Sequence, residues 1–120
     1  MTDGSAVCNV SEAVARADGD RDLFLTLAGI FLEETPKDLA AAGAALAKQN
    51  GDALAAAAHR LKGAVVQVCA PHLYVSVSRL EQLGGQREFS AAAAVYADVE
   101  TRLAEVHRVL REWIAGGLPA

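Results

Sequence analysis

The sequence has little cysteine, proline or aromatic content: two cysteines, three prolines and 5% aromatics in 120 residues. Cys8 and Cys69 lie far apart and form no C-x-x-C pair, so neither a zinc site nor a disulfide framework is indicated. So few aromatic rings make too thin a platform for stacking single-stranded bases. Basic charge is short as well. Eleven Lys and Arg against fifteen Asp and Glu leave a net charge of −4, which argues against a surface built for nucleic-acid phosphates. No apolar run approaches the ~18–20 residues that span a bilayer. The stretch Met1 to Val10 has neither a basic start nor an apolar segment and does not read as a secretory signal. Nucleotide loops of the G-x-x-x-x-G-K-[ST] and G-x-G-x-x-G types are missing, and so is the zinc motif H-E-x-x-H. A cytoplasmic protein with no membrane and no nucleic-acid partner is expected.

What the chain does have is alanine, 26 residues of it, within a composition that is 52% hydrophobic and 22% charged. Alanine is the best helix former and a poor strand former, so an all-α chain is expected. Its length suits a single domain over 1–120, with a core from about 9 to 115 and flexible ends. Asp18-Gly19-Asp20, Asn50-Gly51-Asp52, Ala70-Pro71, Gly84-Gly85 and Gly116-Gly117 break the helical pattern. A short first helix is expected from about Ser11, as its N-cap, to Ala17. The second starts after Asp20 and reaches about Gln49, with Leu25, Ala28, Leu32, Thr35, Leu39, Ala42 and Leu46 as its buried stripe. Pro36 should kink this helix without ending it, because the stripe resumes in phase. The third, from about Asp52 to Cys69, buries Leu54, Ala58, Leu61, Val65 and Val68.

Pro71 opens the fourth helix, which turns Leu73, Val77, Leu80 and Leu83 inward. The fifth runs from about Phe89 to Ile114 and buries Ala92, Val95, Val99, Leu103, Val106, Leu110 and Trp113. Four long amphipathic helices with short connections predict an antiparallel four-helix bundle with a short additional N-terminal helix. That first helix is expected to cover Leu23, Leu27 and Ile30.

One segment of the third helix carries chemistry: Ala58-His59-Arg60-Leu61-Lys62-Gly63-Ala64. At ~100° per residue, the buried stripe falls within roughly 40° of Leu54, whereas His59 lies at about 140°. The imidazole is therefore presented to solvent, among Ala55, Ala56, Gly63 and Val66, all small or apolar. Lys62, three residues on, is its neighbour on the helix. With an ordinary pKa near ~6.5, a histidine at pH ~7 offers one ring nitrogen with a free lone pair for attack on phosphorus. Lys62 can neutralise the phosphoryl oxygens that arrive. Gly63 costs a helix interior ~1 kcal/mol relative to alanine, which suggests a steric need beside the ring. The bland alternatives are that Gly63 allows close helix packing and that His59 is a surface residue without a role. His72 reads as a helix-start residue and His107 as a boundary residue, both structural, and the three histidines show no spacing that converges on a metal.

This stretch, ending in Val68-Cys69-Ala70, resembles the signature of histidine-containing phosphotransfer (HPt) domains. Asp18-Gly19-Asp20 with Phe31-Leu32-Glu33-Glu34 before Pro36, Asn50-Gly51-Asp52 and Leu80-Glu81 resemble further parts of that family's pattern. The resemblance implies a phosphoryl carrier in a multistep phosphorelay, not an enzyme. His59 would accept the group from one receiver-domain aspartate and pass it to another, with Lys62 as charge partner and Gly63 giving access. It implies response-regulator receiver domains and a hybrid histidine kinase as partners, which dock on Ala55, Ala56, Arg60, Val66 and Gln67. It implies a monomer with no cofactor and no metal of its own, magnesium belonging to the receiver. Two positions depart from the family's habit: Cys69 stands where glycine is common, and Gln67 where asparagine or serine is.

A second reading is a helical interaction module that docks a receiver or kinase without carrying phosphate, and the retained His59–Lys62 pair argues against it. A third, the dimerising phosphoacceptor domain of a sensor kinase, would have glutamate after the histidine and then a proline. Arg60 follows here with no proline nearby.

Overall fold

A computed structural model describes residues 3–119 of the chain. Met1, Thr2 and Ala120, parts of the segments expected as flexible ends, lie outside the described residues. Five helices follow one another: α1 (Val10–Arg16), α2 (Arg21–Ala47), α3 (Gly51–Val68), α4 (Pro71–Gly85) and α5 (Phe89–Gly116). The four long ones pack in a ring, α2 on α3, α3 on α4, α4 on α5 and α5 back on α2. This is the expected four-helix bundle with its extra N-terminal helix.

Helix starts follow from capping chemistry. Asp20 accepts a hydrogen bond from the Leu23 amide at 2.9 Å and Asn50 one from the Ala53 amide at 3.0 Å. Each satisfies an amide that helix geometry leaves unpaired, a contribution of ~1 kcal/mol. Pro71 occupies the first turn of α4, where its missing N–H costs nothing. The junction of α3 and α4 is tight. A β-carbon on Gly84 would fall 2.9 Å from Leu54 Cγ, and one on Gly51 would fall 2.6 Å from the Gly84 carbonyl oxygen. Both ends of the described chain lie on the bundle: Trp113 Nε1 donates to the Asp3 carbonyl at 2.9 Å, and the Arg21 guanidinium to the Pro119 carbonyl at 3.1 Å.

The stripes of α3 and α4 are buried as expected. Four details differ from expectation. First, the cap of α1 lies two residues earlier, because Asn9, not Ser11, accepts from the Glu12 amide at 3.1 Å. Second, α2 buries Phe24, Phe31 and Ala45 together with Ala28, Thr35 and Ala42, whereas Leu25, Leu32, Leu39 and Leu46 are only half-buried. The helix is held between α3 and α5, so its buried arc is centred between two apolar stripes; the four leucines form a flank, where Leu39 and Leu103 line one shallow hollow. Third, α1 does not cover Leu23 and Ile30, which are 42% and 51% exposed. It lies instead across the end of α3, where the Asn9 amide donates to the Cys69 carbonyl at 2.9 Å.

Fourth, His107 is buried rather than at a boundary. Its Nε2 lies 2.7 Å from the Thr35 hydroxyl, which itself donates to the Phe31 carbonyl at 2.7 Å. The hydroxyl proton is thereby used, so the imidazole N–H is the donor to the Thr35 oxygen. This joins α5 to α2 one residue before Pro36, through which α2 continues unbroken. Burial, with Arg111 adding to it, holds the His107 ring below its ordinary 6.5. A folded-state pKa below the unfolded one means that the unfolded chain takes up the proton first. Stability is therefore expected to fall as pH drops below about 6.5, before carboxylates such as Glu81 and Asp98 titrate. Thermal melts of the parent and of His107→Gln at several pH values test this: the parental melting temperature should decline through that window and the variant's should stay flat.

Candidate functional site

The fully buried stripe of α3 decides what the opposite face presents. His59 stands on the outward ridge with its side chain 69% exposed. Around the helix at ~100° per residue, Ala55, Lys62 and Val66 fall on the side toward α4, Ala56 and Gly63 on the ridge itself, and Arg60 and Gln67 toward α2. The contacts agree with that division. Arg60 Nε donates to Asp38 of α2 at 3.3 Å, and Ala55 lies against the Gly84 end of α4. The six residues named with His59 and Lys62 thus share one face, in two flanks and a crest.

The residue absent from the sequence-based site is Glu81 of α4. Its Oε2 is 2.9 Å from His59 Nδ1 and its Oε1 is 2.5 Å from Lys62 Nζ, so one carboxylate bridges both. Its only signal was the Leu80-Glu81 pair, which carried no site role because nothing local shows which part of α3 the flank of α4 meets. The bridge has two chemical consequences. An ionised carboxylate only accepts, so Nδ1 of His59 carries the proton and Nε2, on the outer side of the ring, holds the free lone pair. The Lys62 ammonium holds the Glu81 carboxyl below the ordinary carboxylate range, with the His59 hydrogen bond adding to it, and the same contact raises Lys62. Glu81 and Lys62 are therefore both charged at neutral pH.

Gly63 lies one turn beyond the histidine, and a β-carbon built there meets nothing within 4 Å. No helix packs against it, so close helix packing does not account for this glycine. At the far end of the face, Val66 joins Tyr74 and Val75 of α4 and Glu12 and Arg16 of α1 around a groove of about 370 Å³. Tyr74 and Val75 were not singled out in the sequence, because the faces of two separate helices meet only in the folded bundle. Cys69 ends α3 at φ 50°, ψ 55°, the left-handed turn that glycine adopts freely, and cysteine there accepts roughly 1–2 kcal/mol of strain. Burial raises its thiol, which stays protonated and inert at neutral pH. His72 is exposed in the first turn of α4 and His107 lies in the core, both away from this face. Among the described residues no three His, Cys, Asp or Glu side chains cluster at metal-binding distance.

Residues 26–113 match the family model described as Hpt domain. Among solved structures, the fold is similar to the crystal structure of histidine-containing phosphotransfer protein B (HptB) from Pseudomonas aeruginosa PAO1. The TM-score is 0.84 at 21% sequence identity, over 91% of this chain and 95% of that one. No curated protein sequence matches the chain.

Replacing Gly63 by alanine is expected to stabilise the bundle by ~1 kcal/mol, because the helix gains propensity and the new methyl group meets open space. Urea unfolding measures this. A loss of stability would mean that some contact does depend on the missing side chain.

Proposed function

The chain belongs to the Hpt domain family, as a histidine phosphotransfer protein of two-component phosphorelays, and on that premise we propose that His59 is its phosphoacceptor. The observation that carries this is the exposed ring itself: Nδ1 is tied to Glu81 while Nε2 is free and faces solvent. Proteins of this family exchange phosphoryl groups with receiver domains and histidine kinases. In the proposed step, Nε2 attacks the phosphorus of a receiver's aspartyl phosphate. The nitrogen–phosphorus bond forms, the bond to the aspartyl oxygen breaks, and its electron pair stays with the receiver's carboxylate.

Lys62 is the charge partner. Its ammonium shares the Glu81 carboxylate with the ring, which keeps a positive charge on the same side of the site for the arriving phosphoryl oxygens. Gly63 gives access, since a longer side chain at that crest position would stand between the ring and a docking domain. The receiver rests on Ala55, Ala56 and Val66, with Arg60 and Gln67 at the α2 edge; the small or apolar surface of the first three supports this reading. Catalysis of phosphoryl transfer is largely positioning and charge neutralisation. Here the chain supplies the nucleophile and one cation, and the receiver supplies its magnesium and acidic cluster. The carrier itself then needs no cofactor, metal or nucleotide.

On the same reading the protein works as a cytoplasmic monomer. One chain contributes every helix of the bundle, and no described helix is long and apolar enough to cross a membrane. The net charge of −4 supports protein partners over nucleic acid.

Incubation with a phosphorylated receiver is the direct test. The parent should gain an acid-labile, base-stable label and His59→Gln none; a label that survives acid would sink the carrier reading. Lys62→Ala should slow transfer about tenfold or more, the loss of at least one charge-assisted contact, while circular dichroism shows the bundle intact. Gly63→Gln should block transfer without lowering stability, since glutamine is the better helix former. Parental transfer rates in that variant would remove the case for access.

A further inference from the structure

We infer that Arg60 is a second cation for the phosphoryl group: once His59 is charged, its guanidinium leaves Asp38 and closes on the phosphoryl oxygens from the α2 flank. The inference rests on His59 being the phosphoacceptor and goes beyond Arg60's place at the edge of the docking face. A phosphoryl group carries ~1.5–2 negative charges near pH ~7. The charges already beside the ring do little to balance it. Lys62 and Glu81 are 2.5 Å apart, so the ammonium and the carboxylate largely cancel. Each holds the other in its charged form. The arriving group therefore meets one cation that is already engaged.

Arg60 is engaged far more loosely. Its Nε is 3.3 Å from Asp38 Oδ1, and its side chain is 56% exposed against 26% for Lys62. Water screens so open a pair, which holds weakly. Among the described residues neither Nη of Arg60 has a side-chain partner, so the two-pronged edge that suits phosphoryl oxygens is free. Its position fits as well. Arg60 follows His59 directly and stands ~100° round α3 from it, toward α2, whereas Lys62 stands toward α4. The crest between the ring and Arg60 carries only Ala56 and Gly63, and a β-carbon at Gly63 meets nothing within 4 Å. The path of the guanidinium across that crest is open. Asp38 thus acts as a latch that keeps Arg60 on the α2 side while the ring is bare. A phosphoryl group, with three acceptor oxygens and more charge than one carboxylate, draws the guanidinium away from it.

The test charges the full chain with phosphoramidate and uses no partner protein, so docking plays no part. Phosphorus NMR follows the titration of the phosphoryl group around its ordinary midpoint near ~6. A cation bonded to the dianion lowers that midpoint. Arg60→Gln should raise it by about half a unit, a threefold change in proton affinity that suits one exposed charge pair. Asp38→Asn frees the guanidinium and should lower the midpoint. In the double variant Asp38→Asn/Arg60→Gln that lowering should vanish, because Asp38 acts only through Arg60. Equal midpoints for the parent and Arg60→Gln would overturn the inference, and so would an undiminished effect of Asp38→Asn in the double variant. Nitrogen NMR of the parent gives a readout independent of any variant's folding: the Arg60 side-chain signals should shift on charging, and unmoved signals would overturn the inference equally. Failure of the underlying reading looks different, since His59→Gln would then charge as well as the parent.

Discussion

Leu54, Ala58, Leu61, Val65 and Val68 have no solvent exposure at all, and with all five buried α3 has a single rotational setting. Turning the helix by one residue, ~100°, would bring leucine and valine into water and a histidine and a lysine into the core. Buried apolar side chains of this size are each worth ~1.5–3 kcal/mol, and an uncompensated buried charge costs more, so the penalty for any other setting is several times the thermal energy. The outward aim of His59 is therefore a consequence of core packing and needs no dedicated support. Only the finer placement of the ring is left to local contacts.

Those local contacts come from a different helix. α4 packs along α3 closely enough that Gly84 and Gly51 tolerate no β-carbon, and this closeness brings Glu81 within reach of two side chains one turn apart on α3. A carboxylate with two oxygens can accept from an imidazole and an ammonium at once, so a single acidic residue orients the ring and keeps a cation beside it. At 26% exposure of both Glu81 and Lys62, water still damps the attraction. The bridge contributes more to defining the tautomer of His59 than to holding the helices together, which the apolar seam already does.

The opposite edge of the face shows what the fold leaves open. Gly63 has empty space where its side chain would be, and Ala56 beside it carries only a methyl group. The crest around His59 is thus low in side-chain bulk, as a residue that must meet a folded partner requires. Cys69 keeps the left-handed helix end that glycine would favour, so this departure from the family's habit changes the strain at the end of α3 and not its course.

Much of this was legible in the order of residues. The 3.6-residue period of apolar side chains, the capping residues Asp20 and Asn50 and the breaker pairs place five helices, because each depends on neighbours within a turn or two of chain. The aim of His59 follows from the same period, as do Lys62 and Gly63 beside it. On α2, however, two apolar stripes run side by side, and periodicity could not choose between Phe24 with Phe31 and Leu25 with Leu32. Packing between α3 and α5 chose. The burial of His107 on Thr35, the capping of α1 by Asn9 and its lie across α3 were settled by contacts between segments distant in sequence. Glu81 belongs with these: its separation of 22 positions from His59 says nothing of distance, and only the packing of α4 on α3 put its carboxylate against the ring.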